Sequence, residues 1–353
     1  MAYSNWLEEA LQAQVNQSLR FEAWIGVNVS ISDEKHGLWL GSGGFSDLEA
    51  KQIMGVNRSF YIYSITKTFV TVCLLKLAQN GLVDLDEPLT KRMKEMPFPE
   101  TVTLRRLLNH TSGIPNYTSL ENYLPAVREN PSVPWTHAKV VDLTCQGKLD
   151  FEPGEKWRYS NTGYMLLYEV IEVVTGKNFA EALKSHVFEI LDLNNTYVTH
   201  EVDIKGVLTP GFSRDLNVEN RMENIIPRYH PDWCMTGLIV STTEDVVKFF
   251  DSVFSGKILD SQYLQQMLIL VPTSIRHLWY KKYSYGLGIM ADSESGYGVM
   301  YGHGGSGPGY NTWAMHLPNF HGRRITLAIF CNTSMFDHPY GMVDDLLRVI
   351  KDA

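Results

Sequence analysis

This sequence lacks an excess of positive charge. Its 31 lysines and arginines face 39 aspartates and glutamates, for a net charge of −8, and no run of basic residues makes a local exception. A nucleic-acid partner is excluded on that ground, because phosphate recognition needs clustered cations. Long apolar runs are missing as well, so no stretch suits a membrane span. Near the start, Glu8-Glu9 stands where a secretory leader would need a positive end and an apolar centre, which sets the expectation of a cytoplasmic protein. Cysteine is scarce. Cys73, Cys145, Cys234 and Cys331 are scattered, mostly among apolar residues, and read as reduced core thiols rather than a disulfide framework or a paired metal or redox motif. No metal and no cofactor is expected.

What is present suffices for a sizeable core. The chain has 353 residues, 44% of them hydrophobic and 20% charged, a length that suggests about two domains. The most apolar stretch runs from Thr68 to Ala78, is introduced by Ser64-Ile65-Thr66-Lys67 and stops at Asn80-Gly81. Apolar residues fall on every side of its helical period, so the spacing predicts a centrally buried helix opening at Ser64. Ser64 and Lys67 then share one face, one turn apart. A hydroxyl is a weak nucleophile until a neighbour takes its proton, and a partly desolvated amine one turn away can do so. The same spacing recurs at Ser32-Asp33-Glu34-Lys35, but in a polar turn between two strand-like segments, with no helix to orient it.

Around this stretch the chain begins with an amphipathic helix over residues 3–21. Next come a half-buried strand in which Ile25, Val27, Val29 and Ile31 alternate with polar or small residues, a turn over Asp33–Gly37, and a second strand near Trp39. Helical patterns dominate the middle: a short helix at 103–108, then helices at 162–175 and 179–191. Between the first two lies a long irregular stretch, 114–135, whose length suggests function. Residues 200–232 read as loops with short strands at most. Ser241-Thr242-Thr243-Glu244 is a capping box opening a helix that stops at Ser255-Gly256. Strands return over 283–289, 311–317 and 325–331, the last apolar enough to be covered on both faces, and a helix over 340–351 closes the chain. The expected architecture is α/β of the α+β type: an antiparallel sheet flanked by the terminal helices, with a mostly helical domain inserted. The boundaries are 1–80 plus 233–353 for the sheet domain and 81–232 for the helical one, with the mouth of the Ser64 helix in a cleft between them.

Two further motifs complete a candidate site. Tyr159-Ser160-Asn161 lies just before the helix at 162, where a phenol and an amide can point to the same side. A second Tyr-Ser-Asn at residues 3–5 has nothing around it. Gly302-His303-Gly304-Gly305-Ser306-Gly307 contains the dinucleotide-binding pattern, but Pro308-Gly309 and a following strand argue against that reading, which needs a helix there. A glycine-rich strand edge instead lets a substrate backbone lie against protein N–H groups.

Taken together, Ser64-x-x-Lys67, Tyr159-x-Asn161 and His303-Gly304-Gly305 resemble, in order and spacing, the three motifs of the serine β-lactamase and penicillin-binding-protein superfamily. The match is to its class C-like branch, which also holds D-peptidases, D-amino-acid amidases and carboxylesterases. Leu107 to Pro115, Pro153-Gly154-Glu155, Gly237 to Thr242 and Pro308-Gly309-Tyr310 extend the likeness over nearly the whole chain. The resemblance implies a β-lactamase/transpeptidase-like fold, with Ser64 as the acylated nucleophile and Lys67 and Tyr159 as a proton-transfer pair. It implies that Asn161 positions Lys67 and the substrate, and that the oxyanion sits on the backbone N–H groups of Ser64 and Ser306. At His303 β-lactamases usually carry a lysine that binds the substrate carboxylate; a mostly neutral histidine weakens that recognition. His303, Gly304, Gly305, Ser306 and Tyr310 are the expected substrate-binding residues, with Tyr310 the best pocket candidate. Tyr117, Tyr123, Trp135, Trp157, Trp279 and Tyr280 are equally compatible with lining the cleft or covering the core, and His110 reads as a turn residue. The expectation is a cofactor-independent serine hydrolase acting through an acyl-enzyme on a small-molecule ester, amide or lactam. A carboxylesterase is favoured over a D-peptidase, D-amino-acid amidase or β-lactamase; an acyltransferase and a non-turnover penicillin-binding or sensing protein are the readings from other classes. Oligomeric state is not legible.

Overall fold

Strands from the two ends of the chain assemble into one sheet. The computed structural model describes residues 3–21, 24–202, 208–216, 219–277, 279–334 and 339–351. The first part supplies β1 (Gly26–Asp33), β2 (Gly37–Asp47) and β3 (Gln52–Ile53). The last third supplies β4 (Val271–Pro272), β5 (Tyr283–Tyr285), β6 (Met290–Ser295), β7 (Gly298–Gly307), β8 (Tyr310–Phe320) and β9 (Arg323–Cys331). Among the described residues these strands form a single antiparallel sheet in the order β3-β2-β1-β9-β8-β7-β6-β5-β4. The two halves meet at β1 and β9, where Val27 lies opposite Cys331 and Asp33 opposite Ile325.

The helices that frame the sheet and the site are α1 (Asn5–Phe21), α2 (Thr66–Gln79), α3 (Leu104–Leu108), α4 (Asn161–Thr175), α5 (Thr243–Phe254) and α6 (Tyr340–Lys351). On the outer face, Leu7, Leu11 and Val15 of α1 and Leu346, Leu347 and Ile350 of α6 pack with Val27, Val29, Ile31, Leu327 and Ile329. Period two sends Ala328 and Phe330 to the inner face, where they join the larger core built on α2, α4 and α5. The architecture is the expected α+β arrangement, with the terminal helices on the sheet and a mostly helical stretch between its strands.

Some local expectations need correction. The strand β1 is buried on both faces rather than half-buried. Its polar face is covered by α5, and Ser30 Oγ bonds Thr243 Oγ1 at 2.7 Å, so alternation marked a paired polar face instead of a wet one. Ser64 does not open the α-helix: it sits in a 3-10 turn, Tyr63–Ile65, and α2 begins at Thr66. Within α2 every residue but Lys76 and Gln79 is buried, as its all-round apolarity predicts. The stretch 114–135 is not irregular throughout, since it holds a 3-10 turn, Tyr117–Ser119, and a helix, Tyr123–Glu129. The expected helix at 179–191 is α-helical only to Leu183, then passes into a π-helical turn, Lys184–Phe188. In the 200–232 stretch Phe212–Ser213 pairs with Glu223–Asn224; residues 203–207 and 217–218 lie outside the described residues. The capping box expected at Ser241–Glu244 is displaced by one residue, because Ser241 ends a strand: Thr242 caps α5 by accepting from the Asp245 N–H, and Thr103 caps α3 by accepting from the Arg106 N–H.

Candidate active site

The site begins with a backbone conformation. Tyr63 has φ 44°, in the left-handed region that a bulky side chain enters only when its surroundings hold it there. Its hydroxyl donates to the Pro308 carbonyl at 2.5 Å. A Cβ added at Gly307 would stand 2.5 Å from the Tyr63 ring, and one at Gly305 would stand 2.1 Å from the Ile62 carbonyl oxygen. Only glycine at these two positions lets β7 lie flat against the turn that presents Ser64. The ladder between β6 and β7 ends at Met290 and Gly302, so the Gly304–Gly307 stretch continues as a sheet edge beside Ser64. Ser64 is half-buried and Ser306 exposed, which keeps this edge within reach of solvent.

Lys67, fully buried, is the centre of the hydrogen bonding. Its Nζ lies 3.1 Å from Ser64 Oγ, 2.8 Å from Asn161 Oδ1 and 3.2 Å from Thr236 Oγ1. Asn161 starts α4, which Ser160 caps by accepting from the Gly163 N–H. Asn161 Nδ2 donates to Thr118 Oγ1 at 3.0 Å, which turns its carbonyl oxygen towards Lys67. Among the described residues no carboxylate pairs with the ammonium, and desolvation lowers the Lys67 pKa to about 7. Tyr159 is half-buried, hydrogen-bonded to Ser64, and has its ring centroid 4.9 Å from Lys67 Nζ. Desolvation raises its pKa well above the phenol value, outweighing the Ser64 bond. Of the expected proton-transfer pair, Lys67 thus holds the easily lost proton and Tyr159 stays neutral.

The result is a hydroxyl held between a neutral-range amine and a protonated phenol at a sheet edge. A family model described as Beta-lactamase matches residues 14–348. The chain belongs to the β-lactamase family. Its fold is that family's fold. Among curated relatives, penicillin-binding protein 4* of Bacillus subtilis (strain 168) is 25% identical over 287 residues, 77% of this chain and 60% of that protein. The chain thus spans about three-fifths of the length of such relatives. Among solved structures it resembles the D-amino acid amidase from Ochrobactrum anthropi SV3 complexed with D-phenylalanine, at 27% identity and TM-score 0.85, covering 98% of this chain and 99% of that one. A D-stereospecific amidohydrolase from Streptomyces sp. aligns at 27% identity and TM-score 0.80, covering 93% and 94%.

Ser64, Lys67, Tyr159 and Asn161 come together, with Gly304, Gly305 and Ser306 alongside. Two residues expected to bind substrate are placed differently. His303 is fully enclosed: its Nε2 faces the Tyr285 hydroxyl at 2.9 Å and its Nδ1 the Gly304 carbonyl at 2.6 Å. A carbonyl only accepts, so Nδ1 carries a proton and donates to Gly304, while Nε2 is engaged by the Tyr285 hydroxyl. The imidazole braces the site from behind and does not reach out to a carboxylate. Tyr310 is also fully buried; its hydroxyl donates to the Thr209 carbonyl and its ring packs among Phe60, Tyr61 and Tyr63. It is core, not pocket wall, because strand alternation turns it inward. Tyr117, Tyr123, Trp135, Trp157 and Tyr280 are likewise buried, whereas Trp279 stacks on Tyr340 at the surface. His110 is the turn residue expected, at φ 62°, but it also shapes the site. Its Nδ1 accepts from the Ser160 N–H at 3.2 Å and its ring lies 4.3 Å from that of Tyr159. Desolvation, then Lys67, then His303, keep it neutral.

Sequence reasoning missed Thr236, Thr118, Asn116 and Tyr285. Asn116 accepts from the Asn161 N–H at 3.0 Å. Asn116 and Thr118 lie in the long stretch whose length had signalled function, and Thr236 directly precedes the Gly237 run that carried part of the resemblance. A lone hydroxyl in a loop leaves no pattern of its own.

Proposed function

We propose that the protein hydrolyses small amides or esters of amino acids through an acyl-enzyme on Ser64, with D-amino-acid amides as the favoured class. The observation that carries the reading is the Lys67 amine, titrating at about 7 and 3.1 Å from Ser64 Oγ. At neutral pH a large fraction of this amine is free base. It accepts the Ser64 proton as Oγ attacks the carbonyl carbon, and the N–H groups of Ser64 and Ser306 receive the developing oxyanion. Tyr159, protonated, donates to the leaving nitrogen or oxygen and is recharged from the Lys67 ammonium, so the serine proton leaves with the amine or alcohol. In the second half water gives a proton to the same pair and its oxygen to the acyl carbon, releasing the acid and restoring Ser64.

The substrate class follows from charge. His303 is enclosed and turned onto Tyr285 and Gly304, so it does not present a charge to substrate, and Lys67, the remaining basic group among the side chains described at the site, works on Ser64. Carboxylate-bearing lactams lose a charge-assisted hydrogen bond there, while amino-acid amides and simple esters lose nothing. The full-length likeness to the Ochrobactrum and Streptomyces amidases supports amides over the carboxylesterase reading. Assaying D- and L-amino-acid amides, simple esters and a cephalosporin on one preparation tests the proposal. D-amides should have the highest specificity constants, simple esters leading would return the carboxylesterase reading, and a faster cephalosporin would overturn both.

A further inference from the structure

Thr236 is fully buried and has no part in the chemistry above, yet its hydroxyl lies between the two groups that control Ser64. Its Oγ1 donates to Asn161 Oδ1 at 2.8 Å and accepts from Lys67 Nζ at 3.2 Å. We infer that Thr236 is a positioning residue that orients the neutral Lys67 amine so that its lone pair faces Ser64 and nothing else. The inference rests on the reading of Ser64 as the acylated nucleophile.

Counting protons carries the argument. A lysine ammonium has three N–H donors, and among the described residues three oxygens accept from this one: Ser64 Oγ, Asn161 Oδ1 and Thr236 Oγ1. When the ammonium loses a proton, one of the three directions becomes a lone pair, and its partner must then donate. Asn161 Oδ1 has no proton, and its orientation is locked by the Nδ2 bond to Thr118. The Thr236 proton is committed to Asn161 Oδ1. Only Ser64 has a hydroxyl free to turn its proton towards the nitrogen, so the bonding pattern selects the base-competent orientation. Without the Thr236 hydroxyl the two remaining N–H groups are satisfied by Asn161 and Ser64 Oγ together, the lone pair points at the vacated side, and Ser64 is not deprotonated.

The titratable groups facing Lys67 come from several elements. Tyr159 lies before α4 and Tyr164 on it, with rings 4.9 and 5.4 Å from Nζ; His110 is in the turn after α3, and Cys234 lies two residues before Thr236. Desolvation keeps both tyrosines and the Cys234 thiol protonated and His110 neutral through the neutral range, so a change in the profile there reports on Lys67.

The test is the rate at which a fluorophosphonate modifies Ser64, followed by intact mass across about pH 5 to 10. Ser64 Oγ forms the bond to phosphorus, fluoride leaves and the serine proton passes to Lys67, so no knowledge of the natural substrate is needed. Thr236→Val should slow labelling on the alkaline plateau about ten- to a hundredfold. It should also move the acid limb to lower pH, because the ammonium loses an acceptor. Thr236→Ser should restore most of the rate, and Thr236→Ala stands in for valine if that variant does not fold. A valine or alanine variant with the wild-type rate and profile, or a serine variant as slow as valine, overturns the inference alone. Absence of Ser64 labelling in the unaltered protein removes the reading beneath it.

Discussion

Two serines in this chain are followed three residues later by lysine, and only one of them has a reason to react. Ser64 Oγ has Lys67 Nζ at 3.1 Å and the Tyr159 hydroxyl as partners, while Ser32 lies near the end of β1 and Lys35 in the hairpin turn that follows. Ser64→Ala should lower amide and ester hydrolysis by several orders of magnitude and Ser32→Ala should change little, both variants staying folded by circular dichroism. The pH profile of kcat/KM should rise with an apparent pKa of about 7, the value to which burial holds Lys67. The same shift has a cost in stability. Between about 7 and the ordinary lysine value of 10.5 the unfolded chain binds a proton that the folded protein has released, so stability increases with pH across that window. Lys67→Met removes this linkage. Urea unfolding should show the inactive variant gaining most over wild type at pH 7 and below, with the gain shrinking towards pH 10; a gain independent of pH would show that Lys67 is not neutralised on folding.

At the scale of elements, the site is a contact between a 3-10 turn and a strand edge. Strand β7 approaches the Ile62–Ser64 backbone so closely that a Cβ at position 305 would stand 2.1 Å from the Ile62 carbonyl, and the atom in the way is backbone. Gly305→Ala must push turn and strand apart by over an ångström to reach ordinary contact. Displacements of that size at a reacting group cost about a hundredfold in rate. The expected outcome is a fall in kcat of that order with KM less affected, measured on the best substrate of the panel. An unchanged kcat would mean that the Tyr63–Ser64 turn is held by α2 alone.

Across the whole molecule the sheet separates two apolar cores, one shared with α2 and the other closed by α1 and α6. Leu346 on α6 is fully buried in the outer core, with the sheet between it and Ser64. Leu346→Ala should destabilise by about 2–5 kcal/mol through lost burial and a cavity. Its kcat per folded molecule should stay at the wild-type value, which active-site titration with a fluorophosphonate checks. The inner core carries a second kind of constraint. Polar pairs such as Ser30 with Thr243 sit between sheet and α5, and these are the positions where alternation misled the sequence reading.

Local periodicity and capping determined most of the elements without help from the fold. The polar start of α5, the all-round apolarity of α2, the apolar run of β9 and the amphipathic α6 each express a preference complete within a dozen residues. The motifs at 64–67, 159–161 and 303–305 were legible for a related reason, since each is a short segment whose side chains are set by one turn or one strand. Tertiary structure alone decided what those side chains meet. That His303 closes on Tyr285 instead of a substrate, that Tyr310 turns inward, and that Thr236 completes the shell of Lys67 depend on residues separated by 18, 101 and 169 positions. The amine's titration near 7 is of the same kind, because it follows from the burial of Lys67 once α2, α4 and the Thr236 loop have closed over it. Desolvation belongs to the packed whole, and no stretch of sequence carries it.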